Sequence, residues 1–268
     1  MGAYERIQTF GGFEGRGSRD ILSAGLTVSG YDWVKYGGRY EVRFDQGMAS
    51  GDEADRVQVL LRNNLSLKIS PDLTGLVYST YTLTQNIENR QVDEEALEAT
   101  AGVAYRPLRS NTLTVIGRYT HRLALNMRPE VSPLGIETLE PWMSHINLVS
   151  LAGIVELPHG MQLTEKVVYK HHSDASSGED FSTDQLLWVN RFAIHLLDRT
   201  LDFALEYRLL WGLPDGELMH GALSEVSYTL YEYARLGVGY NFARFSADVM
   251  DDLSENRNGF YIRLTGMY

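Results

Sequence analysis

A chain with seven histidines and no cysteine invites first a search for hydrolytic or metal chemistry. A nucleophilic serine needs a histidine base within hydrogen-bond reach and a third group to orient the ring. His220 with Ser224, and His145 with Ser150, are the pairs that proximity in the chain offers, and no local motif recommends either. His171 and His172 are adjacent, so on a strand they point to opposite faces and cannot chelate one ion together. His121, His145, His195 and His220 fall on separate predicted strands. Without cysteine there is no disulfide framework, thiolate metal site or thiol nucleophile. The carboxylate-rich stretch Asp248 to Asn256 lacks the spacing of a calcium loop and reads as a solvated surface loop. The glycines at 25, 37, 38, 102, 117, 153, 237 and 239 precede no helix and form no phosphate cradle. The expectation is a protein with no enzymatic activity and no cofactor or metal.

A second set of residues could act on ions rather than bonds. Lys35, Arg39, Glu41, Arg43, Asp45, Arg62, Lys68, Glu98, Arg106, Arg118, Arg122, Lys166, Lys170, Arg191, Asp202, Glu206, Arg208 and Arg263 recur at strand spacing, on what reads as one face. Bases outnumber acids there, although the net charge of the chain is −11. The surplus acid sits in the long connections, as in Asp52, Glu53 and Asp55, or Asp248, Asp251, Asp252 and Glu255. Arginine walls attract anions and grip carboxylates or phosphates bidentately. Inward arginines and glutamates on neighbouring strands also pair and stiffen a sheet. An acidic chain of this kind does not suit general nucleic-acid binding, which needs a basic face.

The elements that position those charges are strands. Leu201, Phe203, Leu205, Tyr207, Leu209 and Trp211 alternate with Asp202, Ala204, Glu206 and Arg208. At helical spacing these charges would encircle the axis, whereas at a period of two they share one face. The C-terminal segment repeats the pattern, with Phe260, Ile262, Leu264, Gly266 and Tyr268 on one side and Tyr261, Arg263, Thr265 and Met267 on the other. Fourteen strands are predicted, approximately 3–12, 19–29, 33–46, 56–69, 73–86, 95–106, 112–124, 145–157, 161–172, 184–197, 200–211, 220–230, 234–246 and 258–268, with twelve or sixteen as alternatives. Residues 1–18 are a first strand or a leader. Short turns alternate with longer acidic loops at 47–55, 87–94, 125–144, 173–183, 212–219 and 247–257, and all seven prolines are assigned to turns or loops. Loop 125–144, rich in Pro and Leu, is the one expected to fold inward.

The whole chain, 1–268, is read as one antiparallel, up-and-down transmembrane β-barrel. A fourteen-stranded barrel at a spacing of ~4.8 Å and a tilt of ~40° is roughly 28 Å across. Apolar side chains alone cannot fill that width, so the apolar face turns out to lipid and the charged face in to water. Sixteen Tyr against nine Phe suits interfacial girdles, with Trp33, Trp188, Trp211, Tyr4, Tyr105 and Tyr268 near strand ends. No uncharged apolar run approaches the ~18–20 residues of a membrane helix. Glu165, between Leu163 and Val167, breaks the pattern by falling on the lipid face, and Asn190 does so more mildly. Residues 1–20 show no signal peptide, so a signal peptide or a further domain is expected upstream.

Ala104-Tyr105-Arg106-Pro107, Gly117-Arg118-Tyr119-Thr120, Leu205-Glu206-Tyr207-Arg208 and Gly237-Val238-Gly239-Tyr240-Asn241-Phe242, with the closing Gly259-Phe260 strand, carry a resemblance. Over roughly 95–268 the chain resembles the C-terminal β-barrel of large, repeat-containing bacterial outer-membrane proteins. That resemblance implies an outer-membrane location and a barrel that anchors a longer polypeptide. It also implies a C-terminal assembly signal (Phe260, Ile262, Leu264 and Tyr268) addressed to the barrel-assembly machinery. The expected partners are outer-membrane lipid, lipopolysaccharide and the missing N-terminal region, not nucleic acid. Three functions stand: an anchor, a passive porin-like channel with a basic lumen and mild anion preference, and, remotely, an outer-membrane hydrolase.

Overall fold

The computed structural model describes residues 2–9, 17–46, 55–88, 90–110, 112–131, 137–176, 179–197, 200–213, 216–230, 234–242 and 259–266. These form a single sheet of fourteen strands in sequence order. The strands are β1 (Gly2–Thr9), β2 (Gly17–Tyr31), β3 (Val34–Gln46), β4 (Arg56–Ser70), β5 (Leu73–Asn86), β6 (Val92–Tyr105) and β7 (Leu113–Val131). They continue as β8 (Glu137–Leu157), β9 (Met161–Ser176), β10 (Glu179–Leu196), β11 (Leu201–Gly212), β12 (Leu218–Leu230), β13 (Ala234–Asn241) and β14 (Gly259–Gly266). Each strand is antiparallel to the next, the up-and-down order expected from the alternating short and long connections. Fourteen is the number among the described residues, as expected.

Side-chain type decides which face each strand turns where. On β11, Leu205, Tyr207 and Trp211 are exposed, while Asp202, Ala204 and Arg208 are buried. The same inversion holds on β12, where Val226 and Tyr228 are exposed and Glu225 and Ser227 are buried. Exposed apolar groups outside and buried charges inside are the reverse of a water-soluble sandwich. They are what a sheet wrapped by lipid requires.

The buried apolar residues are a finding that alternation by residue type did not foreshadow. Leu148, Val168, Leu187 and Val189 form a cluster, with Leu210 packed against it. Cross-strand pairing puts Leu148 opposite Lys170, Val168 opposite Leu187, and Lys166 opposite Val189. The cluster therefore lies on the charged, inner face. Leu187 is 0% exposed, so this stretch of the inner wall is packed rather than wet.

The 125–144 region is corrected. It is not a long loop: β7 and β8 pair out to Val131 opposite Glu137, making the longest hairpin of the sheet. Two prolines thus leave the loop set, Pro129 opposite Leu139 in β7 and Pro141 opposite Met127 in β8. They fit because the hairpin outruns its neighbours. The pairing of β6 to β7 stops at Glu94 opposite Asn126, and that of β8 to β9 stops at Met143 opposite Ala175. Beyond those points each strand has one open edge, where proline sacrifices no ladder bond. Pro71 lies in a turn, Pro107 in a non-strand connection and Pro158 opens a short 3₁₀ turn, as expected, while Pro133 and Pro214 lie outside the described residues.

The turn 158–160 shows why glycine is needed at one end. His159 and Gly160 both take left-handed backbone, at φ 64° and 73°. A Cβ on Gly160 would stand 2.6 Å from the carbonyl oxygen of His195. Only glycine lets β9 begin this close to the end of β10.

Candidate functional site: the charged inner face

Register carries one face continuously around the sheet. Arg39 faces Arg62, Arg62 faces Thr80, Thr80 faces Glu98 and Glu98 faces Arg122. Lys166 faces Ala152 and Val189, Arg191 faces Glu206, and Arg263 faces Gly237. Lys35, Glu41, Arg43, Lys68, Arg118, Lys170, Asp202 and Arg208 fall on the same face by their places in these strands, and Arg106 follows the end of β6 with the same parity.

The face divides into two arrays with different chemistry. In β2–β4, Glu41 is buried and is held between Arg39 (2.7 Å) and Arg43 on its own strand, while Arg19 pairs with Asp45 across the β2–β3 step. In β10–β14, Glu206 lies between Arg208 (2.6 Å) and Arg191 (3.5 Å). Asp202 takes His195 Nδ1 at 2.5 Å and Arg235, and Glu225 takes Arg263 and the Tyr261 hydroxyl (2.6 Å). Each carboxylate thus meets two donors, the arrangement that offsets the cost of removing its charge from water. Outside these pairings, Lys35, Arg62 and Lys68 on β3 and β4, and Arg118 and Arg122 on β7, are exposed.

Gly239 makes the second array possible. A Cβ there would stand 2.5 Å from the Tyr261 ring and 2.6 Å from the Ser224 carbonyl oxygen. Its absence lets the Tyr261 ring cross β13 and reach Glu225. Gly239→Val is expected to expel that ring and to cost about 1–3 kcal/mol from overpacking and the lost hydrogen bond. A guanidinium unfolding titration of the refolded barrel, read beside Tyr261→Phe, checks it. An unshifted midpoint would mean that the ring does not occupy this space.

The histidines land on both faces. On the outer face, His220 Nδ1 bonds the Tyr207 hydroxyl (2.6 Å) and His171 Nδ1 bonds Asp184 (2.8 Å), which also accepts from Tyr169 (2.6 Å). His145 and Ser150 differ in parity along β8 and point to opposite faces. The Ser–His contact that does form joins Ser144 to His172 Nε2 at 3.1 Å across β8 and β9. Asp174 approaches the same nitrogen at 2.9 Å. One nitrogen cannot both take a serine proton and lean on an orienting carboxylate, so this contact lacks the relay geometry of a hydrolase. It was missed because it spans two strands and becomes visible only with the register. The carboxylate loop at 248–256 lies outside the described residues.

Glu165 does sit on the outer face, in an unshifted register opposite Gly153 and Asn190. Its oxygens accept from Trp188 Nε1 (2.7 Å) and from the Asn190 amide. Two neutral donors on the adjacent strand make the carboxylate tolerable at that position. Asn190, itself out of pattern, is thereby explained. Of the proposed assembly-signal residues, Phe260, Ile262 and Leu264 are 84%, 76% and 73% exposed along β14, a continuous apolar edge. Tyr268 lies outside the described residues. Trp33, Trp211, Tyr4 and Tyr105 are exposed at or near strand ends, and Trp188 is exposed further within β10.

No family model matches the chain, and no curated protein matches it. Solved structures of similar fold are outer-membrane receptors. The siderophore receptor PirA from Pseudomonas aeruginosa superposes with a TM-score of 0.67 at 12% identity, over 92% of this chain and 43% of that one. A variant of the ferric enterobactin receptor PfeA from the same organism gives 0.63 at 11% identity, over 90% and 43%. PirA from Acinetobacter baumannii gives 0.61 at 8% identity, over 90% and 42%. The chain thus spans less than half the length of these receptors. Strand order, the inverted faces and these likenesses agree on one fold, that of an antiparallel outer-membrane β-barrel.

Proposed function

We propose that this barrel is a membrane anchor, a stiff outer-membrane element that holds a longer polypeptide at the cell surface or the periplasmic side. The observation that supports it most is the way inner-face charge is used. Glu41 and Glu206 are each bracketed by two arginines, and Asp202 and Glu225 are each tied to a cation. The Arg191–Glu206, Arg235–Asp202 and Arg263–Glu225 pairs rivet different strands, the Glu41 pairs brace β3 itself, and charges held this way leave little free field for a permeating ion. The packed cluster around Leu187 adds a dry stretch of wall. On this reading the partners are lipid and lipopolysaccharide outside, the assembly machinery at β14, and an N-terminal region of the same polypeptide.

A passive, anion-preferring channel is the second reading, favoured by the exposed cations Arg62, Arg118 and Arg122. Planar-bilayer recording of the refolded barrel across a salt gradient separates the two. The anchor predicts a folded barrel without steady conductance. Steady current with an anion-selective reversal potential would replace it with the channel.

A further inference from the structure

A cavity of about 660 Å³ opens on the inner face among β2–β7, lined by none of the carboxylates of the ion-pair arrays. Within it runs a single transverse row: Lys35 faces Ser66, Ser66 faces Leu76, Leu76 faces Gly102 and Gly102 faces Arg118. Ile116 and Ala104, paired with each other on β7 and β6, extend the floor on one side. The floor is apolar and open, unlike the ion-pair arrays and the packed Leu187 cluster of the same face: Leu76 is 52% and Ile116 is 42% exposed, although both point inward with the charges. Gly102 and Ala104 supply the room. Lys35 and Arg118 are the only formally charged residues of the lining, which contains no carboxylate, and neither enters an ion pair among the described residues. Across four strand spacings of ~4.8 Å, the two backbone positions are roughly 19 Å apart along the wall.

We propose that this trough binds an elongated amphipathic anion, an apolar chain bearing a carboxylate or a similar anionic head. The volume is within the usual range for small-molecule sites, and apolar walls with a few placed polar groups are their usual make-up. The chain lies across β5–β7 on Leu76, Gly102 and Ile116. The head is taken by Lys35 or Arg118, whose charges have no carboxylate in the cavity to neutralise them. Elsewhere on the face every buried carboxylate is already held by a cation, so the trough is where uncompensated positive charge and bare apolar surface coincide. This site is independent of whether the barrel conducts, and its failure would leave the anchor untouched.

The test is equilibrium dialysis of radiolabelled dodecanoate against the refolded full chain in nanodiscs, with empty nanodiscs as the lipid background. Saturable binding is expected for the wild type. Lys35→Gln/Arg118→Gln is expected to weaken it at least tenfold, the scale of a lost charge-assisted contact. Arg122→Gln, on the same face but outside the lining, should leave it unchanged. Ala104→Leu, which fills the floor and keeps both cations, should abolish it. Heat-modifiable migration on detergent gels establishes that each variant is folded, and the glutamine pair decides the matter if Ala104→Leu does not fold. No saturable binding by the wild type, equal binding by the glutamine pair, or equal binding of dodecanol would each overturn the proposal.

Discussion

Leu205→Arg is expected to cripple assembly, at a cost of about 2–4 kcal/mol for an arginine on the lipid face near mid-membrane. Leu205 is 47% exposed on β11, between Phe203 and Tyr207, which are also exposed and apolar. An arginine there would face Phe192 and Ser224, neither of them a carboxylate, and must snorkel or leave a cation in hydrocarbon. Arg122→Leu is the matched change on the other face. Arg122 is exposed and lies opposite Glu98 and Ile146, so its loss is expected to cost no more than about 0.5 kcal/mol. Folding yield into lipid vesicles, read as the heat-modifiable fraction, measures both. Equal yields would undo the assignment of faces. The arginine at 208 is not a fair control, because it is buried in the Glu206 array.

Breaking that array from its centre is the second large effect. Glu206→Ala leaves Arg208 and Arg191 facing one another without the carboxylate that joins them. Removing one partner of a buried, hydrogen-bonded ion pair costs about 3–5 kcal/mol, mostly as the penalty on the charge left behind. The double variant Glu206→Ala/Arg208→Ala removes most of that penalty and should be more stable than Glu206→Ala alone. Guanidinium unfolding midpoints of the two single variants and the double give the coupling directly. Additive losses would mean that the charges act separately and that the array does not stiffen the wall.

Much of this architecture was readable from residue order, and the reasons are local. On β11, hydrophobic and charged residues alternate without a break, and a period of two has one physical meaning. The turns at Asp32, Pro71-Asp72 and Pro158 to Gly160 punctuate the chain where the sheet reverses. What escaped was whatever depends on the neighbour across the gap. Pro129 and Pro141 look like breakers until the hairpin is seen to outrun β6 and β9, leaving open edges where a missing N–H is harmless. Leu187 and Val189 look lipid-facing by type. Sharing parity with Arg191 puts them on the inner face, where they meet Leu148 and Val168. Glu165 looks misplaced until the register brings the Asn190 amide and the Trp188 indole against it. The Arg191–Glu206 contact and the row from Lys35 to Arg118 likewise need cross-strand pairing, which a single sequence does not specify.

The central claim is that this sheet has lipid on one face and the ionic interior on the other. A single-cysteine spin-label scan along β11 of the vesicle-inserted barrel tests it most directly, and the chain's lack of native cysteine makes the labelling clean. The prediction is a period-two alternation: high collision with dissolved oxygen and none with a water-soluble nickel chelate at 203, 205 and 207, and the reverse or little of either at 202, 204 and 206. Uniform access of the nickel chelate along the strand would contradict the membrane barrel itself.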